Sequence, residues 1–387
     1  MKRILIPALA AVFLALFLAA CKSEAVLPIE ITNNPKQSAL DLAVHDLVQQ
    51  HQDGLNTVGL SVGFLRHDSL FFYGYGEPAL GDGEAPDAHT RFEIGSISKV
   101  FTAIAATEWL AEQSLTPDSA IRPWLPADLP ELSRGGTAVT FRHLMTHSSG
   151  LSYMPGNMGP KLYLNIAEAW SGYDSLKLYD CLRKEKLHAE PGTEFRYSNL
   201  AVGTLGTILE RSTGLEYGEI IRQRIADPLG LADTKAVLSS AEQEFMAAGY
   251  KGRKEIPRWT SLNALDGAGV LRSSAYDLML FARANLNPPA GPLGEAITRC
   301  QQPAFAGPSE DGQAVDMGLG WVLLPYEGST EPALFHNGGT GGFSTNLFVF
   351  KDKQAALCVL FNSVSASQAE DEARRALIEG LIGLSAE

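Results

Sequence analysis

Gly95-Ser96-Ile97-Ser98-Lys99 opens a segment in which Val100, Ala103, Ile104, Trp109 and Leu110 recur at helical spacing. The pattern predicts a helix from Ser96 to Gln113 with the serine in its first turn and the lysine one turn on. Positions i and i+3 share a helix face, so the amine can reach the hydroxyl. A helix N-terminus also presents unpaired N–H groups and the positive end of the macrodipole, which favours negative charge developing beside Ser96. A lysine held in a dry pocket there can give up its proton and act as a base for serine. Ser-x-x-Lys occurs once in the 387 residues. Taken alone, the segment also reads as a helix cap followed by a solvated lysine.

Two further segments carry chemistry. Pro191-Gly192-Thr193-Glu194-Phe195-Arg196-Tyr197-Ser198-Asn199 puts a phenol and an amide two residues apart, just before a helix spanning Asn199 to Arg211 that Gly214 would stop. Tyrosine can relay a proton and asparagine can bind a substrate amide. A second Tyr-x-Asn, Tyr163-Leu164-Asn165, reads better as a turn with a packed aromatic. His336-Asn337-Gly338-Gly339-Thr340-Gly341-Gly342-Phe343 is dense in glycine. Such a stretch lets a ligand approach the backbone closely, and a strand edge here could pair with an extended substrate or lend an N–H to an oxyanion. A plain hairpin turn is the competing reading.

In order and setting, the three segments resemble the serine β-lactamase and penicillin-binding protein superfamily. The nearest branch is the class C β-lactamase-like group, which also holds esterases, D-aminopeptidases and D,D-carboxypeptidases. Thr140 to Leu151, Pro228 to Thr234 and Gly267 to Ala275 look like segments of the same family. The resemblance runs from about Leu40 to the last helix. It implies that Ser96 is the nucleophile, Lys99 its partner and Tyr197 the general base. It makes Asn199 the substrate-binding amide, and matches His336 and Gly338 to the third motif. The Gly339 N–H would complete an oxyanion hole with that of Ser96. The substrate would be a β-lactam, an ester or a D-amino-acid peptide, with neither cofactor nor metal. A covalent penicillin sensor without turnover, and a class C-like β-lactamase proper, are the alternatives.

The third motif departs from the family pattern, since His336 stands where many β-lactamases carry lysine. A histidine titrating near neutrality would hold a substrate carboxylate less reliably than a fixed cation. That weakens the case for a dedicated β-lactamase and suits the esterase and peptidase members. The class A pattern Glu-x-x-Leu-Asn has its best echo ending at Asn165, but Lys161 occupies its first position, so class A deacylation is not expected.

The fold expected is α+β, of the β-lactamase/transpeptidase type. Val58 to Leu65 and Leu70 to Tyr75 read as strands around Arg66-His67-Asp68, and Gly320 to Leu324, Phe343 to Phe350 and Ala355 to Phe361 read as strands near the other end. Ser38 opens a helix that Gly54 would end, Phe141 to Thr146 and Ala275 to Asn285 are helical, and Gln368 to Ile382 closes the chain. Strands at both ends make one antiparallel sheet, flanked by helices, with a mainly helical lobe inserted. The hydrolase domain would span 38–385, its sheet lobe about 38–95 and 316–385, and its helical lobe about 96–315.

The N-terminus carries a targeting signal. Lys2 and Arg3 precede an apolar run from Ile4 to Ala20, and Leu18-Ala19-Ala20-Cys21 resembles a bacterial lipobox. Residues 1–21 would be a lipoprotein signal with Cys21 lipidated, and Lys22 to Lys36 a polar tether within 22–37. The protein would be exported and anchored to a bacterial membrane on the periplasmic side or at the cell surface. A plain spanning anchor is the rival, although the run is short against the roughly 20 residues that a spanning helix needs. A net charge of −13 argues against nucleic acid as a partner. With Cys21 lipidated, Cys181, Cys300 and Cys358 leave an odd number and no disulfide framework. Two decoys are set aside. Gly59-Leu60-Ser61-Val62-Gly63 lies inside a strand pattern rather than at a strand–turn–helix elbow. His143 and His147 have zinc-peptidase spacing but Leu144 follows the first histidine, so packing and capping roles are expected.

Overall fold

The computed structural model describes residues 29–159 and 170–385. The signal segment, Cys21, Lys161, Tyr163 and Asn165 lie outside the described residues. Eight strands form one sheet: β1 (Gly59–Arg66), β2 (Ser69–Gly76), β3 (Phe305–Pro308), β4 (Ala314–Met317), β5 (Val322–Leu324), β6 (Ala333–Gly339), β7 (Ser344–Phe350) and β8 (Ala355–Phe361). Their order is β2-β1-β8-β7-β6-β5-β4-β3, and every neighbouring pair is antiparallel. The two ends of the chain meet where β1 pairs with β8, with Gly63 opposite Cys358.

The β8 sequence is apolar without a break because both of its faces are covered. Leu357, Val359 and Phe361 point into one core, while Ala356, Cys358 and Leu360 point into the other. The first core is closed by helices α1 (Ala39–Leu55) and α7 (Gln368–Ser385). The second is closed by the helical lobe, of which α2 (Ser98–Glu112), α3 (Phe141–Met145), α4 (Asn199–Thr213), α5 (Ala275–Leu286) and α6 (Pro292–Cys300) are the main parts. Each leucine, valine or phenylalanine among them contributes about 1.5–3 kcal/mol by leaving water, so β8 is the seam that joins the lobes. Helix α2 is buried on nearly every face, from Ser98 to Leu110, and fixes Ser96 and Lys99 between sheet and helical lobe.

Three sequence expectations change. The boundary of the helical lobe moves, because β3 lies before residue 316, β4 begins before it, and the two form the far edge of the sheet. They are short, and only Phe305, Val315 and Met317 turn inward, against Phe195, so a two-residue alternation has little length in which to show. Gly54 does not stop α1; the helix runs through it to Leu55, and Asn56 takes the left-handed position at φ 40°. A Cβ on Gly54 would lie 2.7 Å from the Ala373 Cβ, so the glycine serves the close contact of α1 with α7. The described part of the tether is laid on the sheet. Ile31 accepts the Gly76 amide at 2.8 Å, Thr32 bridges Tyr75, and Asn34 donates to the Tyr75 hydroxyl at 2.7 Å. The open edge of β2 thereby finds partners for part of its backbone.

Candidate active site

The strand Arg91–Glu93 runs into a single 3₁₀ turn, Gly95–Ile97, and α2 follows from Ser98. The predicted helix thus begins with a tighter turn, which exposes Ser96 at its rim. The turn requires Gly95 at φ +50°, and a Cβ there would stand 2.7 Å from the Gly339 nitrogen. Lys99 returns along α2 to place Nζ 2.9 Å from Ser96 Oγ and donates to the Ala268 carbonyl at 2.5 Å. The lysine is 1% exposed, and burial holds its amine well below the usual lysine range. A neutral amine with one N–H spent on Ala268 keeps a lone pair for the serine proton.

Tyr197 arrives from the other side. Its hydroxyl lies 2.6 Å from Ser96 Oγ, and Lys99 Nζ stands 4.9 Å from the centre of its ring. Burial pushes the Tyr197 hydroxyl above the ordinary phenol range, so at neutral pH it is a phenol and not a phenolate. Ser198, which caps α4 by accepting the Ala201 amide at 2.9 Å, fixes where the loop ends. Asn199, the first residue of α4, is buried, its amide directed to Met154 Sδ at 3.3 Å and its backbone N–H to the Tyr153 carbonyl at 2.9 Å.

The glycine-rich segment is a strand and the turn after it. Residues His336 to Gly339 belong to β6, and Gly338 pairs with Thr345 of β7. A Cβ on Gly338 would fall 2.0 Å from the Ile94 carbonyl oxygen, so this glycine lets β6 lie flush against the turn that carries Ser96. A Cβ on Gly339 would meet only the Phe343 carbonyl oxygen, at 3.9 Å. His336 corrects an expectation. It is 2% exposed, and its Nδ1–H donates to the Asn337 carbonyl at 2.6 Å. Burial pushes it down to about 3, so it is neutral across the physiological range instead of titrating near neutrality.

Ser96, Lys99, Tyr197, His336, Gly338 and Gly339 therefore meet in one place, with Asn199 opening the helix beside them. The Ala268 carbonyl is a further member that sequence reasoning left without a role. It lies in the Gly267 to Ala275 segment, where only the family likeness signalled importance. Neither decoy has the geometry its motif would need. Ser61 is buried within β1, opposite Gly74 and Leu360. His143 accepts the Thr140 amide at 3.1 Å as a cap of α3, whereas His147 lies beyond the helix at φ +56°, so the two share no helix face. Among the described residues no cluster could hold a metal ion, and Cys181, Cys300 and Cys358 are free and buried.

The chain is similar in sequence and in fold to known proteins. The profile described as Beta-lactamase matches residues 44–381. The D-alanyl-D-alanine-carboxypeptidase/endopeptidase AmpH of Escherichia coli (strain K12) is 25% identical over 330 residues, spanning 81% of this chain and 83% of the relative. A beta-lactamase of Pseudomonas fluorescens is 28% identical over 293 residues, 75% of each chain. In fold, the chain is similar to a beta-lactamase/D-alanine carboxypeptidase from Pseudomonas syringae, with a TM-score of 0.74 and 23% identity over 88% of this chain and 99% of that one.

Proposed function

Because the chain belongs to the Beta-lactamase family and is a serine hydrolase, we propose that it forms its acyl-enzyme on Ser96, with Lys99 and Tyr197 handling the protons. One observation carries this reading: a single hydroxyl, Ser96 Oγ, is held by both Lys99 Nζ at 2.9 Å and the Tyr197 hydroxyl at 2.6 Å. Neutral Lys99 takes the serine proton as Oγ attacks the carbonyl. Tyr197 gives its phenol proton to the leaving group and recovers one from Lys99. The N–H groups of Ser96 and Gly339 hold the oxyanion, and Asn199 binds a substrate amide. Water then attacks the acyl-enzyme along the reverse proton route.

The substrate is an ester or a D-amino-acid peptide ahead of a β-lactam destroyed by a dedicated enzyme. A neutral His336 offers no fixed cation for a carboxylate at its position in the third motif. Export and lipidation at Cys21 complete the reading. They rest on Lys2, Arg3, the apolar run and Leu18-Ala19-Ala20-Cys21, and Cys21→Ala is expected to release the protein from membranes.

The deciding experiment incubates protein lacking residues 1–21 with a penicillin and with small esters, following intact mass and product. A mass gain on Ser96, absent from Ser96→Ala, supports the acyl-serine. Slow loss of a penicilloyl adduct indicates a peptidase and rapid loss a β-lactamase. Ester turnover without a penicillin adduct indicates an esterase. Unchanged turnover in Ser96→Ala would overturn the mechanism.

A further inference from the structure

His147 was set aside as a packing residue, yet its surroundings are those of a clamp. The loop that follows α3 lies along the loop that carries Tyr197. The His147 carbonyl accepts the Arg196 amide at 2.7 Å, and its Nδ1 accepts the Ser198 amide at 3.2 Å. The two amides that flank Tyr197 are thus held by one residue, through its backbone and its ring. The imidazole also lies on the phenol, with ring centres 4.4 Å apart and planes 31° from parallel. One residue further on, the Ser148 carbonyl takes the Gly192 amide at 2.8 Å, which extends the contact between the loops.

The backbone of His147 points the same way. It sits at φ +56°, a region that few residues other than glycine enter, and that asparagine, aspartate and histidine enter most readily. Such a conformation persists where the surroundings over-determine it, and it gathers at functional sites. The side chain is 1% exposed. An acceptor role at Nδ1 requires that atom to be unprotonated, which leaves the ring proton on Nε2. Burial, with Lys99 and His336 close by, keeps the ring neutral and so preserves that acceptor.

We propose that His147 is a positioning residue for the Ser96 reaction: it fixes the Tyr197 phenol against the nucleophile by gripping the backbone on both sides of it. The proposal rests on the proton role given to Tyr197 above. It makes the His147 effect travel through Tyr197, because a misplacement of about 1 Å in reacting groups can cost ~10²-fold in rate. A residue that merely fills space would act independently of the phenol.

A double-mutant cycle tests this with whichever of a penicillin or p-nitrophenyl acetate acylates the wild-type protein. His147→Ala is expected to lower kcat by about 10- to 100-fold with KM within about threefold of wild type. In a Tyr197→Phe background the same change should cost less than about threefold, since the phenol it positions is gone. His147→Asn keeps a side-chain acceptor and tolerates the left-handed backbone, so it should recover most of the rate. His147→Phe keeps an aromatic ring but has no acceptor, and should stay low. Equal losses in both backgrounds would overturn the proposal, as would full activity in His147→Ala. Should the alanine variant fail to fold, His147→Asn and His147→Phe run the same cycle, and equal rates for the two overturn it. The functional reading fails separately: Ser96→Ala retaining turnover would remove it whatever His147 does.

Discussion

The Gly95 Cα faces the Gly339 backbone so closely that a methyl group on Gly95 would lie 2.7 Å from the Gly339 nitrogen and 2.8 Å from its oxygen. The reverse does not hold. A methyl group on Gly339 would come no nearer to a neighbour than 3.9 Å, at the Phe343 oxygen. Two glycines in contact thus have different duties. Gly95 permits the approach, and Gly339 would lend the proposed oxyanion hole a backbone amide that any residue could lend.

Gly95→Ala is accordingly expected to push β6 off the nucleophile turn and to strain a backbone at φ +50°. Loss of one oxyanion donor costs about 10²–10³ in kcat, and this variant should approach that range. Gly339→Ala should stay within about tenfold of wild type, because its amide is kept and its Cβ has room. Steady-state kinetics on the two variants checks the contrast, and equal losses would show that Gly339 itself needs to be glycine.

The contrast also shows where the sequence was legible. Ser96, Lys99 and Tyr197 stood out because the order and setting of their segments resemble a known family; spacing alone left Ser96 open to reading as a helix cap. The β1–β2 hairpin stood out too, where β-branched and aromatic runs flank a polar turn. The state of His336 was hidden, because its charge depends on how deeply β6 is covered, and burial is a property of the assembled lobes. Gly54 was misread for a similar reason: glycine near a helix end signals a stop, but the contact with Ala373 arises only when the last helix docks. His147 and the Ala268 carbonyl act on Tyr197 and Lys99 from distant parts of the chain, and no local pattern announces such a partnership.

Lys99 must be neutral to accept the serine proton, and its amine is held well below the lysine range by burial. Activity should therefore be present above that lowered value and fall as the pH drops through it, because protonation removes the lone pair. Lys99→Arg puts a fixed cation where the neutral amine stood, and it cannot release its proton near neutrality. It should lose about 10²–10⁴ in kcat, the range for a positioned acid or base. A pH–rate profile of wild type with single-point rates for the variant checks both statements. An active Lys99→Arg enzyme would move the base to Tyr197.

Gly54→Ala separates helix propensity from packing. In an exposed helix the change would stabilise by about 1 kcal/mol. Here the new methyl meets the Ala373 Cβ at 2.7 Å, and neither group can turn aside. Overpacking costs typically about 1–3 kcal/mol, so the variant should be destabilised in urea titrations. The pair Gly54→Ala with Ala373→Gly should recover part of the loss by moving the methyl from α7 to α1. Stabilisation by the single change would mean that the two helices separate at little cost.

The neutrality of His336 makes a prediction for acid stability. Its ring sits at about 3 in the folded protein against 6.5 for an unburied histidine. Between these values the unfolded chain binds a proton that the folded one does not, so this residue's contribution to stability is full above pH 6.5 and declines as the pH falls towards 3. One proton corresponds to about 1.4 kcal/mol per pH unit, so between pH 6.5 and 5 His336 should account for about 2 kcal/mol of lost stability. Asp266 and Asp277, both raised to about 6 by burial, act with the opposite sign: the folded state holds their protons more tightly, and acidification favours it. Their effect is common to wild type and variant and cancels in the comparison. His336→Asn, which cannot titrate, should therefore lose less stability than wild type when urea unfolding is repeated at pH 6.5 and 5. Equal losses would mean that the His336 ring takes up its proton in the folded protein, and a cation would then be available at the third motif after all.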